Sequence, residues 1–215
     1  METAAAQERP GLRERKKQRT HDALLRAALE LFTTRGYEAT TVDEIAEAVD
    51  VSQRTFFRYF AGKEEAALAL MSLTHEHFLE AMRARPAHEA PLEAMRNAVL
   101  EGWDAFGAVV EQVVPLDLHL RAYGMVESTP ALLAAHLRRA DEMGRQIERV
   151  IAEREGLDES DPRPRVAVAV FAGVMRVTER LWALGDDLSM EAMRELTAAH
   201  LDALRPSLAE KWRTD

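Results

Sequence analysis

Apolar residues recur at helical spacing along the whole chain. Leu25, Ala28, Leu29 and Phe32 form an inner stripe over Gly11–Gly36, which ends in a glycine suited to a helix terminus. Val42, Ile45, Ala46 and Val49 follow at i, i+3, i+4 and i+7, one apolar face on a helix of about two turns. Ser52 is a good cap for a second short helix, Gln53–Phe60, whose inner edge is Phe56 and Phe60. Further on the pattern predicts helices over Glu64–Arg85, Pro91–Val114, Leu116–Tyr123, Pro130–Glu155, Arg165–Leu184 and Ser189–Leu208. Loops are predicted at 124–129 and 156–164. Strict alternation, the mark of a half-buried strand, is missing from the pattern, so an all-α fold of about nine helices is expected.

Thr41–Lys63 is the most informative stretch. Thr41 with Glu44 three residues on is a capping box. A short helix, a three- or four-residue turn and a second short helix make the DNA-reading helix-turn-helix. The outer face of the second helix is crowded with hydrogen-bonding groups: Gln53, Arg54, Thr55, Arg58 and Tyr59. Gln53 and Arg54 stand at its N-terminus, nearest the base edges, where Gln pairs with adenine and Arg with guanine. Thr55 is placed for a thymine methyl or a phosphate, and Ser52, Arg58 and Tyr59 for the backbone. Thr41 and Lys63, each at a helix start, read as phosphate clamps, with Phe57 packing on sugar.

Charge supports this division. The 215-residue chain carries a net −9, which taken whole argues against nucleic acid. Residues 1–63, however, hold 11 basic and 10 acidic residues, against 17 and 27 in the remainder. Arg13, Arg15, Lys16, Lys17 and Arg19 make a basic arm fit to lie along phosphates. The chain has no cysteine, so it offers neither a disulfide framework nor a thiolate metal site. No apolar run reaches the roughly 18 residues of a membrane span, and Met1–Pro10 lacks the apolar core of a signal peptide. A cytoplasmic protein is expected.

The basic helix followed by GYEATTVDEIAEAVDVSQRTFFRYFAGKEE resembles the N-terminal domain of TetR-type transcriptional regulators, over about residues 14–70. RTFFRYF is similar to the subgroup that includes the mycofactocin regulator, which hints at a long acyl thioester as ligand. Two positions depart from the family pattern. Arg54 replaces the usual small residue before Thr55, and Phe57 replaces the usual tyrosine, losing a phosphate-binding hydroxyl. The resemblance implies a disordered arm over residues 1–12, a DNA-binding domain over 13–63, and an effector-binding and dimerisation domain over 64–215. The boundary then lies inside a helix, so a motion in the body can reach the DNA domain.

Bulky adaptable side chains on the body helices are candidates for lining a ligand site. Met71, His75, Phe78 and Met82 lie on one helix, Trp103 and Phe106 on the next. Met143, Phe171 and Met175 follow, with His119, Tyr123 and Arg176 as polar anchors. The final helix pair is the candidate dimer surface: Val170, Val174, Val177 and Leu181 on one helix, Leu196, His200, Leu201 and Leu204 on the other. In the resembled family the last two helices of each chain pair into a four-helix bundle, and palindromic half-sites call for two-fold proteins. Enzyme readings fare poorly. His75 and His77 point about 200° apart on a helix, so both cannot face one ion, and no phosphate-binding glycine loop or nucleophile elbow is present. No cofactor or metal is expected. The sequence points to a homodimeric repressor released from a palindromic operator by a small apolar ligand. The alternative is a DNA-binding adaptor that takes no effector and answers to protein contacts.

Overall fold

In a computed structural model of the chain, residues 11–187 and 189–204 are described, without the side chains of residues 104–109, 111 and 112. Nine α-helices and no strand occur among the described residues. They are α1 (Leu12–Arg35), α2 (Val42–Glu47), α3 (Gln53–Phe57), α4 (Lys63–Ala84), α5 (Pro91–Val113), α6 (Leu116–Ser128), α7 (Pro130–Glu155), α8 (Pro162–Ala183) and α9 (Met190–Asp202). None of them is long and apolar enough to cross a membrane. The chain divides into two compact units, residues 1–67 and 68–215, and the divide falls inside α4. Residues 1–10 of the expected disordered arm lie outside the described residues; Leu12 already opens α1.

In the first unit α1 buries Leu24, Leu25, Ala27, Ala28, Leu29 and Phe32, the stripe its spacing predicts plus Leu24 and Ala27. Ile45 from α2 and Phe56 from α3 are fully buried. Thr41 and Glu44 close the capping box: the hydroxyl accepts the Glu44 amide, and the carboxylate accepts the Thr41 amide at 2.8 Å. Those amide and hydroxyl bonds hold the Glu44 carboxyl below its ordinary pKa. The two short helices are shorter than predicted. After Phe57 the chain tightens into i→i+3 bonds, with the Arg58 amide donating to Thr55 and the Tyr59 amide to Phe56. Between the helices Asp50 takes a left-handed conformation at φ 54°, which ends α2 and turns the chain into α3.

In the second unit α7 packs on α8 and α6, and α9 on α5 and α8. The core gathers Met82, Met95, Ile147, Ile151, Val168 and Phe171 with their neighbours. Two boundaries differ from expectation. The predicted loop at 124–129 is helical almost to its end, because α6 continues through Gly124 to bury Val126 completely. A glycine in a helix interior costs about 1 kcal/mol relative to alanine, and burying a valine offsets it. Helix α8 begins earlier than predicted, at Pro162, capped by the Asp161 carboxylate. Pro162 and Pro164 fit there because first-turn amides have no intrahelical partner to lose. Gly156, left-handed at φ 63°, ends α7.

Candidate DNA interface and ligand cavity

The candidate DNA-reading groups of the first unit are held to different degrees. Arg54 is exposed and no intramolecular partner holds it among the described residues. Gln53, beside it, donates its side-chain amide to the Asp43 carboxylate of α2. Ser52 caps α3, its oxygen accepting the Thr55 amide at 3.3 Å, and its hydroxyl meets that of Thr55 at 3.1 Å. Arg58 lies over the Tyr59 ring, 5.0 Å from the centroid, and donates to the Tyr59 oxygen at 3.3 Å. Phe57 is 52% exposed, an aromatic face presented outward beside the buried Phe56. On α1, Arg15, Lys16, Lys17 and Arg19 are all exposed, and Lys17 pairs with Glu14 at 3.4 Å.

Lys63 departs from the role expected of a free phosphate clamp. Its ammonium donates to the carbonyls of Tyr37 and Thr40, each at 2.9 Å, and of Glu38 at 3.4 Å. It also lies 4.6 Å from the centroid of the Tyr37 ring. An ammonium has three N–H donors, and here all three go to one loop. Lys63 thus ties the turn after α1 to the start of α4. Thr41 likewise spends its amide and hydroxyl on Glu44.

The second unit contains a cavity of about 540 Å³. Eight of the side chains expected at a ligand site line it: His75 and Phe78 from α4, Trp103 from α5, Tyr123 from α6, Met143 from α7, and Phe171, Met175 and Arg176 from α8. Met71, Met82 and His119 are buried away from it; α4 and α6 turn them into packing instead. The side chain of Phe106 lies outside the described residues. Phe78 and Phe171 stack at 5.6 Å with an interplanar angle of 16°. The Trp103 indole N–H donates to Thr197 at 3.1 Å, which fixes the ring in the wall.

One part of the cavity wall is polar, where Glu127, His136 and Glu179 join the expected His75, Tyr123 and Arg176. The Tyr123 hydroxyl reaches Glu179 at 3.5 Å, with Glu127 and Arg176 close enough to act on both electrostatically. Burial pushes the Glu179 carboxyl up to about 7, and the charge of Glu127 adds to that rise. Burial also raises the Tyr123 phenol. His75 faces His136, ring centroids 6.3 Å apart. Burial lowers His75 to about 4, helped by His136 and Arg139, and burial lowers His136 too. His119 is also lowered to about 4 by burial alone, as befits a packed histidine. The signal for His136 was present in the sequence: it shares a face with Ala140, Met143 and Ile147, at i, i+4, i+7 and i+11. Glu179 carried it as well, sharing a face with Phe171 and Met175 at i, i+4 and i+8.

The candidate dimer residues separate. Val177 and Leu181 are 54% and 49% exposed, with Val166 and Leu184 beside them at 60% and 75%. Val170, Leu196 and Leu204 are half-buried. Leu201 and Val174, by contrast, belong to the unit's own core, and His200 meets the Thr178 hydroxyl at 2.7 Å. The packing of α8 on α9 within one chain buries Leu201 and leaves Val174 and His200 half-buried.

Comparison with known proteins agrees with this two-part construction. Residues 24–70 match the model of bacterial regulatory proteins of the tetR family, and residues 89–209 match the MftR C-terminal domain. The chain is 50% identical over 212 residues to the HTH-type transcriptional regulator TcmR of Streptomyces glaucescens, covering 95% of this chain and 91% of that one. It is 27% identical over 182 residues to the mycofactocin biosynthesis transcriptional regulator MftR of Mycobacterium tuberculosis, described as putative, covering 82% and 88%. A TetR-family regulator structure from Syntrophomonas wolfei superposes with a TM-score of 0.61 at 19% identity, covering 90% of this chain and 98% of that one. Thermus thermophilus FadR, a TetR-family repressor solved in complex with lauroyl-CoA, superposes at 0.51 with 22% identity, covering 91% and 98%. With a tetR-type reading domain, an MftR-type body and a full-length relative at half identity, the chain belongs to the TetR family of DNA-binding transcriptional regulators.

Proposed function

We propose that the protein is a homodimeric, cytoplasmic repressor whose hold on a palindromic operator is released by a small, largely apolar ligand. The observation that carries this reading is the 540 Å³ cavity, walled by aromatic and methionine side chains with a few polar groups on one part of its wall. Sites of this kind take ligands that bury an apolar body and fix one polar end. Lauroyl-CoA is the ligand named for the FadR relative, and it has both parts.

The DNA contacts in this reading are Gln53 and Arg54 on base edges, with Thr55 and Phe57 beside them. Ser52, Arg58, Tyr59, the α1 arm and the helix start at Thr41 lie on the backbone. The dimer surface is the exposed ridge of α8, where Val166, Val170, Gly173, Val177, Leu181 and Leu184 recur at intervals of three and four. That spacing is the seam of a helix pair. Two reading helices then meet successive major grooves, about 34–36 Å apart. Helix α4 carries Lys63 at its start and His75 and Phe78 in the cavity wall. A ligand that favours one position of α4 shifts the population away from the DNA-matched spacing, by as much as its affinity differs between the two states.

The test is a thermal-shift screen of the purified protein against apolar acids, acyl thioesters and aromatic drugs. It is followed by operator release measured by fluorescence anisotropy. A stabilising compound that also dissociates operator supports the reading. A protein that binds operator yet is stabilised by no compound fits the effector-independent adaptor instead.

A further inference from the structure

Gln53 reaches out of α3, yet its side chain is tied back. Its Nε2 donates to Oδ1 of Asp43, a residue in the first turn of α2, on the other side of the turn. Both side chains are exposed. Asp43 accepts here from an uncharged amide. It borders a shallow indentation with Glu47, Asp50 and Gln53. A carboxylate on a DNA-facing surface repels phosphate, so its place beside a base-reading residue needs a compensating use.

The chemistry of the pair supplies one. A carboxamide has two different ends, a carbonyl oxygen that accepts and an NH₂ that donates, and a free glutamine flips between them at little cost. A carboxylate only accepts. Asp43 therefore admits one orientation of the amide: Nε2 turned toward α2 and Oε1 turned outward. One N–H remains free beside that oxygen. In the major groove, adenine shows an N6 donor next to an N7 acceptor, which matches this order. Guanine and thymine present acceptors at the corresponding edge, O6 and O4, which would suit the flipped amide.

We infer that Asp43 is a positioning residue of the DNA-reading unit: by fixing the Gln53 carboxamide in one orientation, it sets Gln53 to read adenine and to reject guanine and thymine. This rests on Gln53 lying against a base edge, as proposed above. Asp43 itself touches no base. Its carboxylate acts through Gln53 alone, so its effect on selectivity disappears when Gln53 is gone.

The experiment uses the full chain and an operator recovered by selection from a random duplex library. Affinities are then measured for all four base pairs at each position. Gln53→Ala identifies the position Gln53 reads. At that position Asp43→Ala is expected to lower discrimination against guanine and thymine about tenfold, within the range of one bidentate contact. Asp43→Asn offers a donor as well as an acceptor, so it admits both orientations of the Gln53 amide and is expected to lose discrimination as Asp43→Ala does. In a Gln53→Ala background, Asp43→Ala is expected to change discrimination at that position no further. Circular dichroism of each variant checks that the helices persist. The inference is overturned if Asp43→Ala leaves discrimination intact, if Asp43→Asn retains it, or if the effect survives without Gln53. If Gln53→Ala alters selectivity at no position, the base-reading assignment itself fails.

Discussion

The two units of the chain solve opposite problems with the same kind of helix. Residues 11–67 build their reading motif from two helices of six and five residues and spend their polar groups locally: a capping box at Thr41, a serine cap at Ser52, a lysine stapled to a loop. What is left outward is a small set of hydrogen-bonding side chains around Arg54. Residues 68–204 use long helices whose apolar faces are wider than their own core consumes. The surplus goes to two places, the cavity wall and the exposed ridge of α8. A recognition surface that must be exact is built from neighbours in sequence. A compartment that must only be the right size is built from residues scattered over five helices.

Leu181→Glu with Val177→Glu should break the body side of this comparison most severely. A charged pair on the α8 ridge is expected to give a monomer by light scattering, with helix content preserved. Operator affinity should fall by orders of magnitude, because each monomer keeps only one half-site. A variant that stays dimeric places the interface elsewhere. Next in size is Gln53→Ala with Arg54→Ala, which removes the two proposed base contacts, worth roughly 1–3 kcal/mol each. Selectivity between operator and random DNA should collapse while the melting temperature and ligand binding in the body hold. Operator selectivity left intact would move base reading off α3.

Lys63→Met tests whether the first unit depends on its staple. Bonds from a charged donor are worth about 1.5–3 kcal/mol, and the methionine would leave three carbonyls without that donor. A loss of about 2 kcal/mol is expected in urea unfolding, concentrated in amide exchange of residues 37–40. A DNA-affinity loss at unchanged stability would return Lys63 to the phosphate. The smallest effect concerns the cavity and depends on pH. Glu179 is raised from 4.5 unfolded to about 7 folded, so the folded chain binds the extra proton. Its contribution to stability is present below pH 4.5 and is lost as pH rises through 7. Glu179→Gln should therefore raise the melting temperature at pH 8 and leave it unchanged at pH 4. His75, lowered to about 4, works in the other direction: its contribution is present above pH 6.5 and is lost as pH falls toward 4.

How much of this the sequence disclosed depended on distance along the chain. Thr41 with Glu44, Ser52 before α3 and Pro130 at the start of α7 are local signals, and the helices they mark stand where the pattern put them. Gly124 misled because a breaker in isolation cannot be weighed against Val126, two residues on, burying itself in the core. Helical periodicity says that Met71, His119 and Leu201 face inward, but an inward face can meet core, cavity or a partner chain. Only tertiary packing separates the three, and it sent those residues to the core. The Gln53–Asp43 pair was hidden for a related reason: ten residues apart on two helices, it depends on how the turn at Asp50 folds them together.

The saturated ammonium of Lys63 has a consequence for chemical reactivity. Lysine occurs only at positions 16, 17, 63 and 211, so residues 64–210 present no side-chain amine at all. An acylating reagent needs an amine it can reach, and the Lys63 nitrogen is turned onto three carbonyls. Among the described residues, fast acylation therefore falls on Lys16 and Lys17, both on the exposed arm of α1. Among the described residues these two form a pair of reactive handles on the arm proposed to lie along DNA. Their protection by bound duplex would report occupancy of the operator without any label in the ligand cavity.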